Sequence, residues 1–320
     1  MLTKQKGNVV LEIKDLTKCF QINKTQVLTA CDKINLTAYH AETLGIVGES
    51  GCGKSTLMRV LTQIHEATSG EVFFENQDIL KLKGEDSRQL RKKIQMVFQN
   101  PASAFNPKMR IKDIICEPLL NFGLIKKAEI EAKAIEMLNL VELPADFINR
   151  FPHSMSGGQQ QRVGIARALT LKPEIIICDE ATSALDVSVQ AKVCKLLTKI
   201  QKETGVSILF ICHDLALVEQ ISHKIAVMYL GNIVELLNSS DLKKQVKHPY
   251  TKALLESVFK TNFEPGEKIK TISSNIPSPL DLPSGCPFHT RCEHTLEICS
   301  KIKPQLKEVS PNHFVACHLY

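Results

Sequence analysis

The sequence predicts an α/β fold organised around a largely parallel sheet. Three observations carry that expectation. Short apolar runs bounded by turn residues recur along the chain, stretches of helical period lie between them, and one glycine-rich turn joins a strand to a helix in a pattern suited to phosphate. Of 320 residues 43% are hydrophobic, enough for one large core or two ordinary ones. The net charge of +6 reads as a solvated surface with a small lysine excess, and Trp is absent. No run nears the ~18 apolar residues of a membrane span. The start, "MLTKQKGNVVLEIK", lacks the apolar stretch of a signal peptide, so the expected compartment is a reducing cytoplasm, where disulfides are rare.

In chain order, the strand candidates are "TLGIVG" (43–48), "EVFF" (71–74), "IQMVFQ" (94–99), "EIIIC" (174–178) and "VSILFIC" (206–212). "SVQAKVCKLLTKIQKE" (188–203) is amphipathic, with Val189, Val193, Leu196, Leu197 and Ile200 on one face. From Asn100 to about Pro152 the strand signals stop and the pattern turns helical, which predicts a helical insertion within the α/β domain. After about Leu237 the texture changes again, and "NFEPGEKIKTISSNIPSPLDLPSG" reads as an extended connection to a cysteine-bearing tail. The expected organisation is therefore a core of 1–98 and 160–237, a helical subdomain of 99–159 and an extension of 238–320. No internal repeat is visible.

The chemistry concentrates in three stretches. "GIVGESGCGKSTLMRVL" (45–61) fits G-x-x-x-x-G-K-[ST], with Gly48, Gly53, Lys54 and Ser55 in the fixed places and Glu49, Ser50, Gly51, Cys52 and Thr56 completing the cradle. Glycines let backbone N–H groups close around phosphate oxygens, and the following helix adds its positive dipole end. Lys54 is expected to reach the β- and γ-phosphates, and the Ser55 hydroxyl to ligate Mg²⁺; Cys52 reads as a small filler. In "EIIICDEATSALD" (174–186) a buried strand delivers Asp179, suited to a water-mediated Mg²⁺ contact, and then Glu180, a carboxylate suited to polarising water. In "SMSGGQQQRVGIARAL" (154–169), Ser156 and Gln159 form an S-x-x-Q capping box that opens a helix, with Gly157 and Gly158 in its first turn. That start is a second anion site, able to hold the γ-phosphate of a nucleotide on another subunit.

Over roughly residues 10–235 these motifs, in this order, resemble the ATP-binding cassette (ABC) ATPases, which share a P-loop (RecA-like) core with a helical insertion. "GESGCGKST" resembles the Walker A loop, Gln99 in "MVFQNP" the Q-loop and "MSGGQ" the signature. "IIICDE" resembles Walker B, "SALD" (183–186) the D-loop, His213 in "ICHD" the switch histidine, and Phe20 the aromatic that stacks on adenine. Met155 stands where Leu is the commonest family residue. "FNPKMRIKDIICEPL" (105–119), "HPYTKALLESV" (248–258) and the cysteine tail are similar to ATPases of oligopeptide/dipeptide permeases, nearer to their F-type subunit.

The resemblance implies ATP hydrolysis in a head-to-tail dimer with a related ATPase subunit or with itself. Lys54, Gln99, Glu180 and His213 would be catalytic, Ser55, Gln99 and Asp179 would organise Mg²⁺, and Ser156 to Gln159 would act in trans. It further implies two transmembrane permease subunits, an extracytoplasmic substrate-binding protein and a peripheral position on the cytoplasmic face of the cell membrane. Importers of nickel, glutathione or antimicrobial peptides are alternatives. ABC ATPases of nucleic acid are disfavoured: there is one cassette, no sustained heptads, and a single short basic run, "SRQLRKK" (87–93), which reads as a solvated helix face.

The tail spaces Cys286, Cys292, Cys299 and Cys317 as C-x5-C-x6-C-x17-C, without the C-x2–4-C knuckle usual in structural zinc sites. By themselves these residues leave an iron–sulfur cluster, zinc, metal-free buried thiols and disulfides open; the resembled subfamily implies a [4Fe–4S] cluster. His289, His294, His313 and His318 read as surface or structural residues.

Overall fold

The computed structural model describes residues 8–183, 185–259 and 276–320, with backbone alone for 102 and 257–259. Two compact units result. The first draws mainly on Lys81–Ile211 with Ala38–Glu42; the second draws on Leu11–Thr37, Thr43–Leu80 and the described residues from Cys212 onward.

In the first unit, strands Ile94–Val97, Ile175–Asp179 and Ser207–Cys212 pair in parallel, with Ile94 opposite Ile175 and Asp179 opposite Ile211. All five residues of Ile175–Asp179 and all six of Ser207–Cys212 are buried, so a continuous run of branched apolar residues suits them better than alternation would. Helix Val187–Thr204 is one residue longer at each end than its pattern predicts. Asp186 caps it through the Val189 N–H at 3.0 Å, and Gly205, at φ 72°, ends it. It buries Val193, Leu196, Leu197 and Ile200, as the period requires. From Val97 to Ile175 the described residues hold helices and no strand: Ile111–Asn121 packs on Ile130–Leu140 and on Gly157–Leu169. The basic run lies on helix Gly84–Lys93, where Arg88 stacks on Phe122 and donates to the Asn121 carbonyl oxygen.

The second unit holds an antiparallel sheet ordered Val27–Tyr39, Val9–Gln21, Ser69–Phe74, Gln77–Asp78. This corrects the sequence reading, which placed "EVFF" with the parallel strands and missed the two 13-residue strands. Those strands interleave buried with exposed positions, a half-buried antiparallel signature weaker than an apolar run. A second sheet segment pairs Thr43–Val47 in parallel with Lys224–Tyr229, which then runs antiparallel to Asn232–Asn238. The tail adds two strands: His313–Val315 pairs with Asn232–Asn238, and Lys307–Ser310 with His313–Val315. The extension is thus bonded into the sheet of its own unit. Of the expected connection, residues 260–275 lie outside the described residues, and 276–288 carry no helix or strand.

Candidate active site

Within the second unit, the fully buried strand Thr43–Val47 leads into the loop, and helix Lys54–Leu61 leads out of it, anchored by buried Leu57, Met58, Val60 and Leu61. Gly53 caps that helix at φ 107°. A Cβ there would lie 2.0 Å from the Ala30 carbonyl oxygen, so only glycine fits. No acidic residue occupies the helix's first turn, leaving its dipole end to favour an anion. Lys54 is 4% exposed, and its Nζ donates to the carbonyl oxygens of Gly48 (2.7 Å) and Glu49 (2.9 Å), with Cys52 Sγ at 3.6 Å. A buried ammonium needs such acceptors, and they aim it into its own loop. Burial pushes the Cys52 thiol up despite the neighbouring Lys54, consistent with an inert packing role.

Glu49 is held more tightly than its variable place in the motif suggests. Its N–H donates to Tyr250 Oη at 2.9 Å, and its carboxylate takes two hydrogen bonds from the Arg291 guanidinium, at 2.8 and 3.1 Å. Arg291 and Tyr250 were missed by sequence reasoning. Tyr250 sits in "HPYTKALLESV" and Arg291 in the cysteine tail, and nothing in the sequence assigns either to the loop. Phe20, half-buried on strand Val9–Gln21, stands edge-on to His65 at 5.4 Å with Lys18 Nζ 4.7 Å from its ring centre. His213 is exposed just past strand Ser207–Cys212, where the next residue, Asp214, caps helix Leu215–Ile221.

In the first unit, Asp179 ends its strand 8% exposed. Glu180 follows at φ 47°, a left-handed backbone that costs a residue with a Cβ about 1–3 kcal/mol. Surrounding bonds hold it there. Its N–H donates to the Ile211 carbonyl oxygen at 3.1 Å, and its own carbonyl oxygen accepts from the Ser183 N–H and Oγ, each at 3.0 Å. Gln99 Nε2 donates to Glu180 Oε2 and to Ser183 Oγ, both at 3.1 Å. The structure therefore joins Gln99 directly to Glu180, two residues 81 positions apart that the resemblance placed in one catalytic set without a contact between them. Ser183 enters as an unforeseen bridge; Ala184 of "SALD" lies outside the described residues.

The capping box forms reciprocally. The Gln159 N–H donates to Ser156 Oγ at 3.4 Å, and the Ser156 N–H to Gln159 Oε1 at 2.9 Å. Gly158 is required by packing, because a Cβ would lie 2.5 Å from Val189 Cγ1. Ser156 and Gly157 are exposed, while Met155 is 7% exposed, a burial that methionine and leucine, similar in volume, tolerate alike.

In the tail, Cys286 and Cys299 are buried, Cys292 and Cys317 half-buried, and all 11 cysteines of the chain are free thiols. The four form one neighbourhood. Burial, with smaller repulsion from the other three, raises Cys286 to about 11, and the Cys286 N–H bonds the Cys299 carbonyl oxygen at 2.7 Å. Among the described residues no three His, Cys, Asp or Glu side chains are arranged to hold a metal ion. Three of the four nearby histidines are engaged structurally, His313 with Glu235, His289 with the Cys286 carbonyl oxygen and His318 with the Ile302 carbonyl oxygen, while His294 is exposed.

Residues 31–183 match the ABC transporter family, and 234–299 match the oligopeptide/dipeptide transporter C-terminal region. The chain is 44% identical to the oligopeptide transport ATP-binding protein AppF of Bacillus subtilis, covering all of both chains. It is equally identical to OppF of Haemophilus influenzae over 99% of both. The chain belongs to the ABC ATPases of oligopeptide transport. Among solved structures it is similar to the dimeric ATP-binding cassette MJ0796 bound to ADP and Pi, at 31% identity and TM-score 0.66 over 72% of this chain and 98% of that one. It is also similar to cbiO1 of Clostridium perfringens, at 26% identity and TM-score 0.65 over 74% and 92%. As an ABC ATPase it hydrolyses ATP with Mg²⁺.

Proposed function

We propose that this chain powers the import of oligopeptides or dipeptides through a membrane permease. The observation that carries this is the pairing of a complete phosphate loop with a C-terminal region of the oligopeptide/dipeptide type, fused over the full length of its relatives. Phosphoryl transfer to water needs positioning and charge stabilisation more than covalent chemistry. Lys54 and the amides of 48–55 would hold the phosphates, with Phe20 on the adenine. The Ser55 hydroxyl, the Gln99 carbonyl oxygen and the strand-end Asp179 carboxylate are oxygen donors that suit Mg²⁺, which would neutralise phosphate charge. Glu180, oriented by Gln99, would take the proton of the attacking water, and His213 would bond the γ-phosphate. Ser156 to Gln159 would serve the ATP of a second subunit, a related ATPase or a copy of this chain; the dimeric relative supports that arrangement.

We place the chain peripherally, on the cytoplasmic face, against two permease subunits, a position supported by its transport ATP-binding relatives; no helix among the described residues is long and apolar enough to cross a membrane. A cavity of about 570 Å³ in the first unit, lined by Met109, Arg110, Asp113, Leu120 and Phe151, lies at "FNPKMRIKDIICEPL" and suits a helix of such a subunit. An extracytoplasmic binding protein would supply the peptide. For the tail we propose a [4Fe–4S] brace on Cys286, Cys292, Cys299 and Cys317, supported by the gathering of four thiols; in the geometry described they are not set for a single ion, and no step of hydrolysis passes through them.

Anaerobic purification of the tagged chain tests both points. Two hydrophobic permease subunits should co-purify, and addition of binding protein with peptide should stimulate ATP hydrolysis. The same preparation should hold about four irons per chain. Co-purification with nucleic acid in place of permease would contradict the transport reading, and a colourless, iron-free chain the cluster.

A further inference from the structure

Glu49 sits at a variable position of the phosphate loop, yet its N–H, its carbonyl oxygen and both carboxylate oxygens are engaged. The N–H goes to Tyr250 Oη (2.9 Å), the carbonyl oxygen receives Lys54 Nζ (2.9 Å), and the carboxylate receives Arg291 Nη1 (2.8 Å) and Nη2 (3.1 Å). Arg291 comes from the cysteine tail, immediately before Cys292, and its side chain is 3% exposed. Its Nη1 also donates to Tyr229 Oη at 3.3 Å. Tyr229, Tyr250 and Phe288 form a cluster with ring centres 4.6 to 5.4 Å apart beneath the pair. The turn that presents Arg291 is itself fixed, by Arg291 N–H to the Phe288 carbonyl oxygen and Cys286 N–H to that of Cys299. All of these residues belong to the unit that carries the phosphate loop.

A brace for the tail could be attached anywhere on the unit's surface. This one ends on the peptide whose carbonyl oxygen anchors the phosphate-binding lysine. A bidentate guanidinium–carboxylate pair also fixes orientation as well as charge. We propose that Arg291 is a positioning residue for ATP. By clamping Glu49 it sets the phosphate loop and the Lys54 ammonium, so the cysteine-bearing tail governs the chain's affinity for nucleotide. The proposal rests on the reading that this loop binds ATP.

Loop amides and Lys54 hold phosphate already in the ground state, so loosening them weakens nucleotide binding. The cost then appears in KM and in directly measured Kd, and any fall in kcat reports the part of the Lys54 contact that strengthens in the transition state. Full-length wild type, Arg291→Gln, Arg291→Lys, Glu49→Gln and the double glutamine variant are compared in ATP hydrolysis and in direct titration with a fluorescent ATP analogue. Arg291→Gln should raise KM and the analogue's Kd about tenfold, equivalent to about 1.4 kcal/mol. Arg291→Lys, which keeps charge without the fork, should fall between. Glu49→Gln should match Arg291→Gln, and the double variant should be no worse than either single one, since both remove the same contact. Glu49→Gln removes no bulk, so it remains decisive if Arg291→Gln does not fold. Unchanged KM and Kd in folded Glu49→Gln, or additive effects in the double variant, overturn the proposal. Absence of analogue binding by wild type would instead overturn the ATP reading beneath it.

Discussion

The phosphate loop and the Glu180 region solve opposite problems. In the loop the two charged side chains are tied down within the unit: Lys54 is buried on carbonyl oxygens of its own turn, and Glu49 is clamped by Arg291 and Tyr250. Around Glu180 the side-chain bonds from Gln99 are exposed, the backbone is left-handed, and the signature residues Ser156 and Gly157 face solvent. The first arrangement is a receptor already formed within one chain, with its ordering cost met on folding. The second is a strained, solvent-facing surface, and in the proposed dimer another subunit would complete it. Nucleotide binding should therefore be a property of the single chain, and hydrolysis a property of the assembly.

Two perturbations bear on that contrast. The larger is Gly158→Ala, whose new methyl would meet Val189 Cγ1 at 2.5 Å and push the signature turn out of place. Hydrolysis should fall at least ~100-fold while the analogue still binds, and Val189→Ala in the same chain should recover part of the rate. Equal loss of binding would erase the distinction between the regions.

The smaller effect concerns pH. His248 is buried, and burial lowers its pKa to about 4; its Nδ1 accepts the N–H of Tyr250, the residue that holds Glu49. The neutral ring contributes stability in full above pH 6.5. That contribution declines as pH falls from 6.5 toward 4, because the unfolded chain takes up the proton first. His248→Asn keeps an acceptor without the titration, so its Tm should fall less than wild type over that range. Parallel pH curves for the two proteins would remove His248 from the account.

Much of this division was legible in the residues. Motif spacing located Lys54, Glu180 and the capping box, because local turns and helix starts depend on neighbours in the chain. Continuous apolar runs located the buried strands for the same reason. Illegible were the contacts closed by tertiary folding: Gln99 to Glu180 across 81 positions and Arg291 to Glu49 across 242. Neither pair has a local signal, since a glutamine and a surface-type arginine look alike in any loop. The long strands Val9–Gln21 and Val27–Tyr39 escaped because half-exposed antiparallel segments carry little apolar contrast.

The central claim is tested most directly with Glu180→Gln, assayed for ATP binding, hydrolysis and oligomeric state in one preparation. Analogue affinity should equal wild type, hydrolysis should fall to background, and an ATP-dependent dimer should persist on gel filtration. Hydrolysis at the wild-type rate would contradict that claim, because Glu180 would then not be the residue that activates water.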